Sequence, residues 1–140
     1  MHFCRRSTFF LDMEDIISKQ CLSLEEDLRA FQQLGECMIF KKTPRKDGYA
    51  YVTLRLPQPD GDIKKTSTSA HRAALLLHLF KEGKVATLQV DKTLECSHLC
   101  HNKMCINVKH LVLENKNENL SRKVCLRRKA CQGHAPACLL

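Results

Sequence analysis

CSHLCHNKMCINVKHLVLENKNENLSRKVCLRRKACQGHAPAC, residues 96–138, holds six of the nine cysteines and four of the seven histidines of the 140-residue chain. Soft ligands at this density point to zinc, because thiolate and imidazole are what a closed tetrahedral zinc site takes. Cys100, Cys105 and His110 are separated by four residues each time, and Cys125, Cys131, His134 and Cys138 follow with gaps of five, two and three. The second set is a complete Cys3His site, and its short loops keep the closure entropy small. The first set has three local ligands. Its fourth comes from elsewhere: Cys96 is near in sequence, and Cys37 is distant but begins an expected strand. Reduced cysteines in a small core are the competing reading, and seven ligands at finger-like spacing weigh against it. A structural zinc contributes on the order of 10 kcal/mol to folding, so stripping the metal is expected to unfold the chain.

Outward from this stretch, the length suits one domain. Residues 1–36 carry four basic and seven acidic side chains, whereas residues 37–140 carry 19 basic and eight acidic ones. A basic, zinc-rich body points to a polyanion, most often nucleic acid; a merely solubilising surface is the alternative. No transmembrane segment is expected, and Phe9-Phe10-Leu11 is too short and too closely followed by acids to be a signal sequence. An intracellular, reducing compartment is therefore expected, where clustered cysteines bind metal more often than they pair.

The pass along the chain gives an α+β pattern. Residues 12–34 read as one helix or two, with Ser23 and Glu26 as a capping box ahead of residues 28–34 and Gly35 as the stop. This acidic N-terminal helical segment, residues 1–36, is set apart from a zinc-binding domain at 37–140. Residues 37–42 read as a short strand. Residues 49–56 alternate, with Tyr49, Tyr51, Thr53 and Arg55 on one face and Ala50, Val52, Leu54 and Leu56 on the other. Asp60-Gly61 marks a hairpin turn, and residues 63–69 return, placing Lys64 or Lys65 opposite Arg55. Such a basic ribbon fits the major groove of DNA, or is a solvated sheet face. Residues 70–83 read as a core helix capped by Thr68 or Ser69, with His71 and His78 as packing or surface residues. Residues 85–95 contain another expected strand, and 111–123 reads as helix, with Asn115 and Asn119 one turn apart.

His98, His101, Asn102, Asn107, Asn115, Asn117 and Asn119 are left over from the metal count. Histidine is the natural general base near neutral pH, and an amide oxygen is a hard ligand that suits magnesium. A base on a strand end, a hard ligand on the next helix and zinc between them describe a phosphodiester hydrolysis site.

The run S-H-L-C-H-N-x-x-C-x-N-x-x-H-L, an asparagine nine residues past that histidine, then C and C-x-x-H-x-x-x-C, resembles the zinc-binding loop of the His-Cys box homing endonucleases. These are ββα-metal, or His-Me finger, nucleases. The resemblance covers residues 96–138 and extends weakly upstream through the strand and the AHR helix start. It implies a nuclease-like α+β domain with short antiparallel sheets, helices and two structural zincs, the ββα motif lying at about residues 85–123. It implies His98 as general base and Asn119 as the ligand of one catalytic magnesium. It favours Cys37, a distant cysteine, to complete the first zinc site with Cys100, Cys105 and His110; Cys125, Cys131, His134 and Cys138 form the second. The family uses an arginine from its DNA-facing sheet at the scissile phosphate, for which Arg55, Lys64 and Lys65 are the candidates.

Double-stranded DNA is thus the expected partner, bound by the hairpin at 49–65 with further phosphate contacts from Lys103, Lys109, Arg122, Lys123, Arg127, Arg128 and Lys129. A nuclear location follows from the DNA reading alone, and no membrane partner is expected. The resembling enzymes exchange a long C-terminal tail between subunits; two residues follow Cys138 here, so a homodimer stays open. The expected function is a magnesium-dependent DNA endonuclease. The alternatives are a non-cleaving zinc module that binds DNA and a zinc-stabilised protein-interaction domain.

Overall fold

A computed structural model describes residues 2–88 and 92–140, with residues 2–13 as backbone alone. The chain opens with α1 (His2–Leu28), then β1 (Phe31–Leu34), β2 (Cys37–Phe40), β3 (Tyr51–Pro57), β4 (Ile63–Ser69) and α2 (Ala70–Lys81). It closes with β5 (Leu94–His98), a 3-10 turn at Val108–His110, β6 (Leu111–Asn115) and α3 (Lys116–Arg128). The strands form three antiparallel pairs, β1 with β2, β3 with β4 and β5 with β6. This is a small α+β domain.

The alternation in β3 is realised as read. Val52, Leu54 and Leu56 are buried, while Thr53 and Arg55 are exposed. The buried face meets Ala73, Leu76 and Leu77 of α2, Phe40 of β2 and Leu24 of α1 in one core. An acidic N-terminal helix is held there because Leu24, 1% exposed, fills that core. Lys81 and Glu25 pair across α1 and α2.

Three sequence expectations are corrected. First, the helix does not span 12–34. It runs unbroken through Ser23, which caps nothing, and Phe31–Leu34 is a strand in register with Cys37–Phe40. Gly35, at φ +58°, makes the two-residue hairpin turn instead of a helix stop. That left-handed conformation suits glycine. Second, no strand occupies 85–88; β5 starts at Leu94, and residues 89–91 of that expected strand lie outside the described residues. Third, residues 111–115 are strand. Leu111–Asn115 pairs with Leu94–His98, and helix begins only at Lys116. Asn115 is its N-cap, the side chain accepting from the Glu118 amide at 2.9 Å, so it does not share a helix face with Asn119. Cross-strand pairing overrides the local helical pattern there. The result, β5–β6–α3, presents His98 at the end of one strand and Asn119 in the first turns of the following helix.

Candidate metal centres and active-site cleft

The loop between β5 and β6 supplies Cys100, Cys105 and His110. Strand β2 is stitched to it. The Ile106 amide donates to the Met38 carbonyl at 2.8 Å, and the Phe40 amide to Met104 at 3.0 Å. Asn107 Nδ2 adds a bond to the Glu36 carbonyl at 2.8 Å. These bonds carry Cys37, at the start of β2, into the loop. Cys37, Cys100, Cys105 and His110 form one cluster whose ligand atoms all lie within 4.8 Å of one another, and Cys125, Cys131, His134 and Cys138 form a second. Cys96 is in neither. It is a buried residue of the cleft wall, and burial raises its thiol to about 12.

The spacing fits zinc. With Zn–S near 2.3 Å and Zn–N near 2.05 Å, a tetrahedral centre sets sulfur and nitrogen about 3.6 Å apart. His110 Nδ1 lies 3.6 Å from Cys37 Sγ and 3.5 Å from Cys105 Sγ. His134 Nδ1 lies 3.2 Å from Cys125 Sγ and 3.6 Å from Cys131 Sγ. Without a cation the first cluster disfavours thiolate: burial, then the neighbouring Cys105 and Cys100 thiols, push Cys37 up to about 12. A bound dication reverses that balance. In the second cluster, Ser121 Oγ donates to the Glu118 carbonyl at 2.9 Å and so accepts from His134 Nε2, 2.5 Å away. The Nδ1 lone pair is then the one presented to the sulfurs.

Arg122 fastens the second cluster to the ββα unit. Its Nε and Nη2 fork onto Glu114 of β6 at 2.6 and 2.8 Å. Its Nη1 reaches the Pro136 carbonyl at 2.9 Å and Cys138 Sγ at 3.4 Å. Ser97, next to His98, donates to the same Glu114 carboxylate at 2.5 Å. Arg122 was expected at the DNA surface. At 2% exposure, with its donors consumed internally, it is withdrawn from phosphate contact.

His98 is 9% exposed. Its Nε2 lies 3.0 Å from the Cys105 carbonyl. A carbonyl only accepts, so Nε2 carries the proton and Nδ1 keeps the lone pair. Burial, then the neighbouring His71, pulls His98 down to about 3, so the ring rests neutral. His71 packs against it with tilted rings, 4.1 Å between centroids, and Tyr49 stacks on His71 at 5.2 Å. His71 is itself tied to the Cys96 carbonyl at 3.1 Å and lowered to about 4 by burial. The sequence reading of His71 as a packing residue was correct, but what it packs against is the candidate base.

His98, Asn119 and Tyr49 line one cleft of about 570 Å³ with Lys103, Lys123 and Arg127. An adjoining pocket brings in Tyr51, His71, Arg72 and Glu95 beside Asn119. Lys103 reaches in because Nζ donates to the Asp47 carbonyl at 2.9 Å. It crosses Gly48, φ +87°, where an added Cβ would meet Lys103 Cδ at 3.0 Å. The hairpin register resolves the other basic candidates. Lys65 is opposite Arg55 on the exposed face, whereas Lys64 is opposite Leu56 and faces a groove shared with Arg72 and Glu95. Arg55 lies four residues beyond Tyr51, about 13 Å along the strand, and lines neither the cleft nor the pocket. Arg45, unremarked in the sequence, continues the basic face, its guanidinium 3.9 Å over the Tyr51 ring and bonded to Ser67 at 2.9 Å.

A model of the zinc-binding loop region of homing endonuclease matches residues 36–139. The chain belongs to this family. No curated protein and no solved structure matches it. The match begins in the turn of the hairpin that delivers Cys37 and ends one residue past Cys138, so both Cys/His clusters lie within it. Among the described residues no helix is long and apolar enough to cross a membrane.

Proposed function

We propose that the chain is a magnesium-dependent DNA endonuclease in which His98 is the general base and Asn119 holds the catalytic cation. The observation that carries this is the cleft itself. It is lined by His98, whose Nε2 is held at the Cys105 carbonyl, and by Asn119, together with Lys103, Lys123 and Arg127. The two zinc clusters take no part in the chemistry. The first holds His98 through the Cys105 carbonyl, and the second holds α3, and so Asn119, through Arg122.

In the proposed reaction His98 Nδ1 accepts the proton of the attacking water. The resting ring is already unprotonated, and the anionic phosphate brought beside it raises its proton affinity as the reaction needs. Asn119 fits a cation because its amide nitrogen is occupied by Glu95, at 2.6 Å, which leaves the oxygen as the donor end. A cation held by Asn119 would supply Lewis-acid stabilisation of the charge that develops on the phosphate and the leaving 3′ oxygen. Lys103, Lys123 and Arg127 neutralise the backbone at the cleft, while Arg45, Arg55 and Lys65 extend the track along the exposed sheet face. A nuclear location follows from this DNA reading alone.

One observation favours the second reading, a zinc module that binds DNA without cutting it: Arg55, the candidate for the scissile phosphate, lies off the cleft. Supercoiled plasmid separates the two. Zinc-loaded protein with magnesium is expected to give open circles with 5′-phosphate and 3′-hydroxyl ends. Salt-sensitive retention without nicking selects the binding module, and loss of retention as well selects a protein-interaction domain.

A further inference from the structure

Glu95 lies on β5, three residues before His98, and the proposed chemistry uses it only to hold the Asn119 amide nitrogen. We propose that its carboxylate is a second protein ligand of the divalent cation assigned to Asn119. The proposal deepens the nuclease reading, but it concerns cation binding and stands or falls separately from cleavage.

Three observations carry it. Asn119 Nδ2 donates to Glu95 Oε2 at 2.6 Å, a short, charge-assisted bond that places a carboxylate against the candidate ligand. Glu95 lines the same pocket as Asn119, open to solvent beside Tyr49 and Arg72. Its cross-strand partner Glu114 is neutralised by the Arg122 fork, whereas Glu95 takes part in no ion pair among the described residues. Arg72, which lines the same pocket, donates from Nη1 to the Leu94 carbonyl at 2.5 Å.

The chemistry agrees. Magnesium and manganese are held through one or two carboxylates with water and phosphate oxygens completing the shell. Asn119 alone offers a neutral amide and no charge. Glu95 Oε2 holds the amide so that the Asn119 oxygen faces the cation, and the carboxylate supplies the missing negative charge.

The test separates charge from positioning. Glu95→Gln keeps an oxygen that accepts from Asn119 but loses the charge; Glu95→Asp keeps the charge on a shorter arm. Manganese binding to the zinc-loaded, full-length protein is followed by loss of the free-ion electron paramagnetic resonance signal, with zinc content and thermal midpoint checked for each variant. Glu95→Gln and Asn119→Ala are each expected to weaken manganese binding by about 10–100-fold, the range for losing a partner of a metal site, while Glu95→Asp stays nearer the parent. If Glu95→Gln does not retain two zincs, Glu95→Asp against Glu95→Asn gives the same comparison. Manganese titrations identical in parent and Glu95→Gln, including no binding by either, overturn the proposal. A parent that binds manganese through Glu95 but nicks no plasmid upholds it and sinks the nuclease reading. Nicking by Glu95→Gln with the parent's magnesium dependence overturns it and leaves that reading intact.

Discussion

Removing the Glu114 carboxylate is the sharpest perturbation of the frame that holds the site together. Arg122 is 2% exposed and the Glu114 side chain 10%, so Glu114→Ala strands a guanidinium in the interior with no counter-charge. Breaking one partner of a buried pair costs about 3–5 kcal/mol. For a chain of this length the unfolding entropy is about 0.3 kcal/mol per kelvin, so the thermal midpoint of the zinc-loaded protein is expected to fall by about 10–17 °C. The double variant Glu114→Leu/Arg122→Met, which removes both charges and keeps apolar volume, is expected to recover most of that loss. Circular dichroism melts of the parent, Glu114→Leu, Arg122→Met and the double variant form a thermodynamic cycle. A drop below about 3 °C for Glu114→Ala, or single effects that simply add in the double variant, would show that Arg122 does not tie the second cluster to β6.

The same pair has a pH signature. Burial acts to raise Glu114, but Arg122 and Ser97 outweigh it and hold the carboxyl below its ordinary 4.5. A depressed carboxylate contributes stability above the unfolded pKa and loses it as pH falls through the folded one. The stability gap between parent and Glu114→Gln should therefore be full at pH 7 and narrow below about 4.5; a constant gap contradicts the ion pair. Cys37→Ser is expected to lower bound zinc from two to one per chain by metal analysis, and Cys96→Ser to leave it at two; the reverse result reassigns the fourth ligand. Gly48→Ala forces a side chain into a left-handed conformation against Lys103, a change of about 1–2 kcal/mol, and should lower the melting midpoint while weakening plasmid retention. Undiminished retention would remove Lys103 from the DNA contacts.

The zinc ligands were legible because loop closure demands short, regular gaps, and the spacing of Cys125 to Cys138 is itself the site. Cys37 was not fixed by spacing, because what brings it in is a set of backbone bonds from Met38 and Phe40 to a loop more than sixty residues away. The strand at Leu111–Asn115 was read as helix because LVLEN has no local signal against one; only its pairing with β5 decides it. Arg122 looked like any basic residue on a basic helix. Its burial depends on Glu114, eight residues upstream and on a different element. His98 and Asn119 stood out as leftovers from the metal count, yet the groups that orient them, the Cys105 carbonyl and Glu95, have no sequence signature.

The central claim is that zinc builds the frame and that His98 and Asn119 perform the chemistry. Its most direct test is the plasmid nicking rate, in magnesium, of the parent beside His98→Ala and Asn119→Ala, each loaded with two zincs. Nicking by the parent that both substitutions reduce by at least about 100-fold, the usual scale for a general acid–base group, with zinc content unchanged, is the predicted result. Nicking that survives either substitution would contradict it.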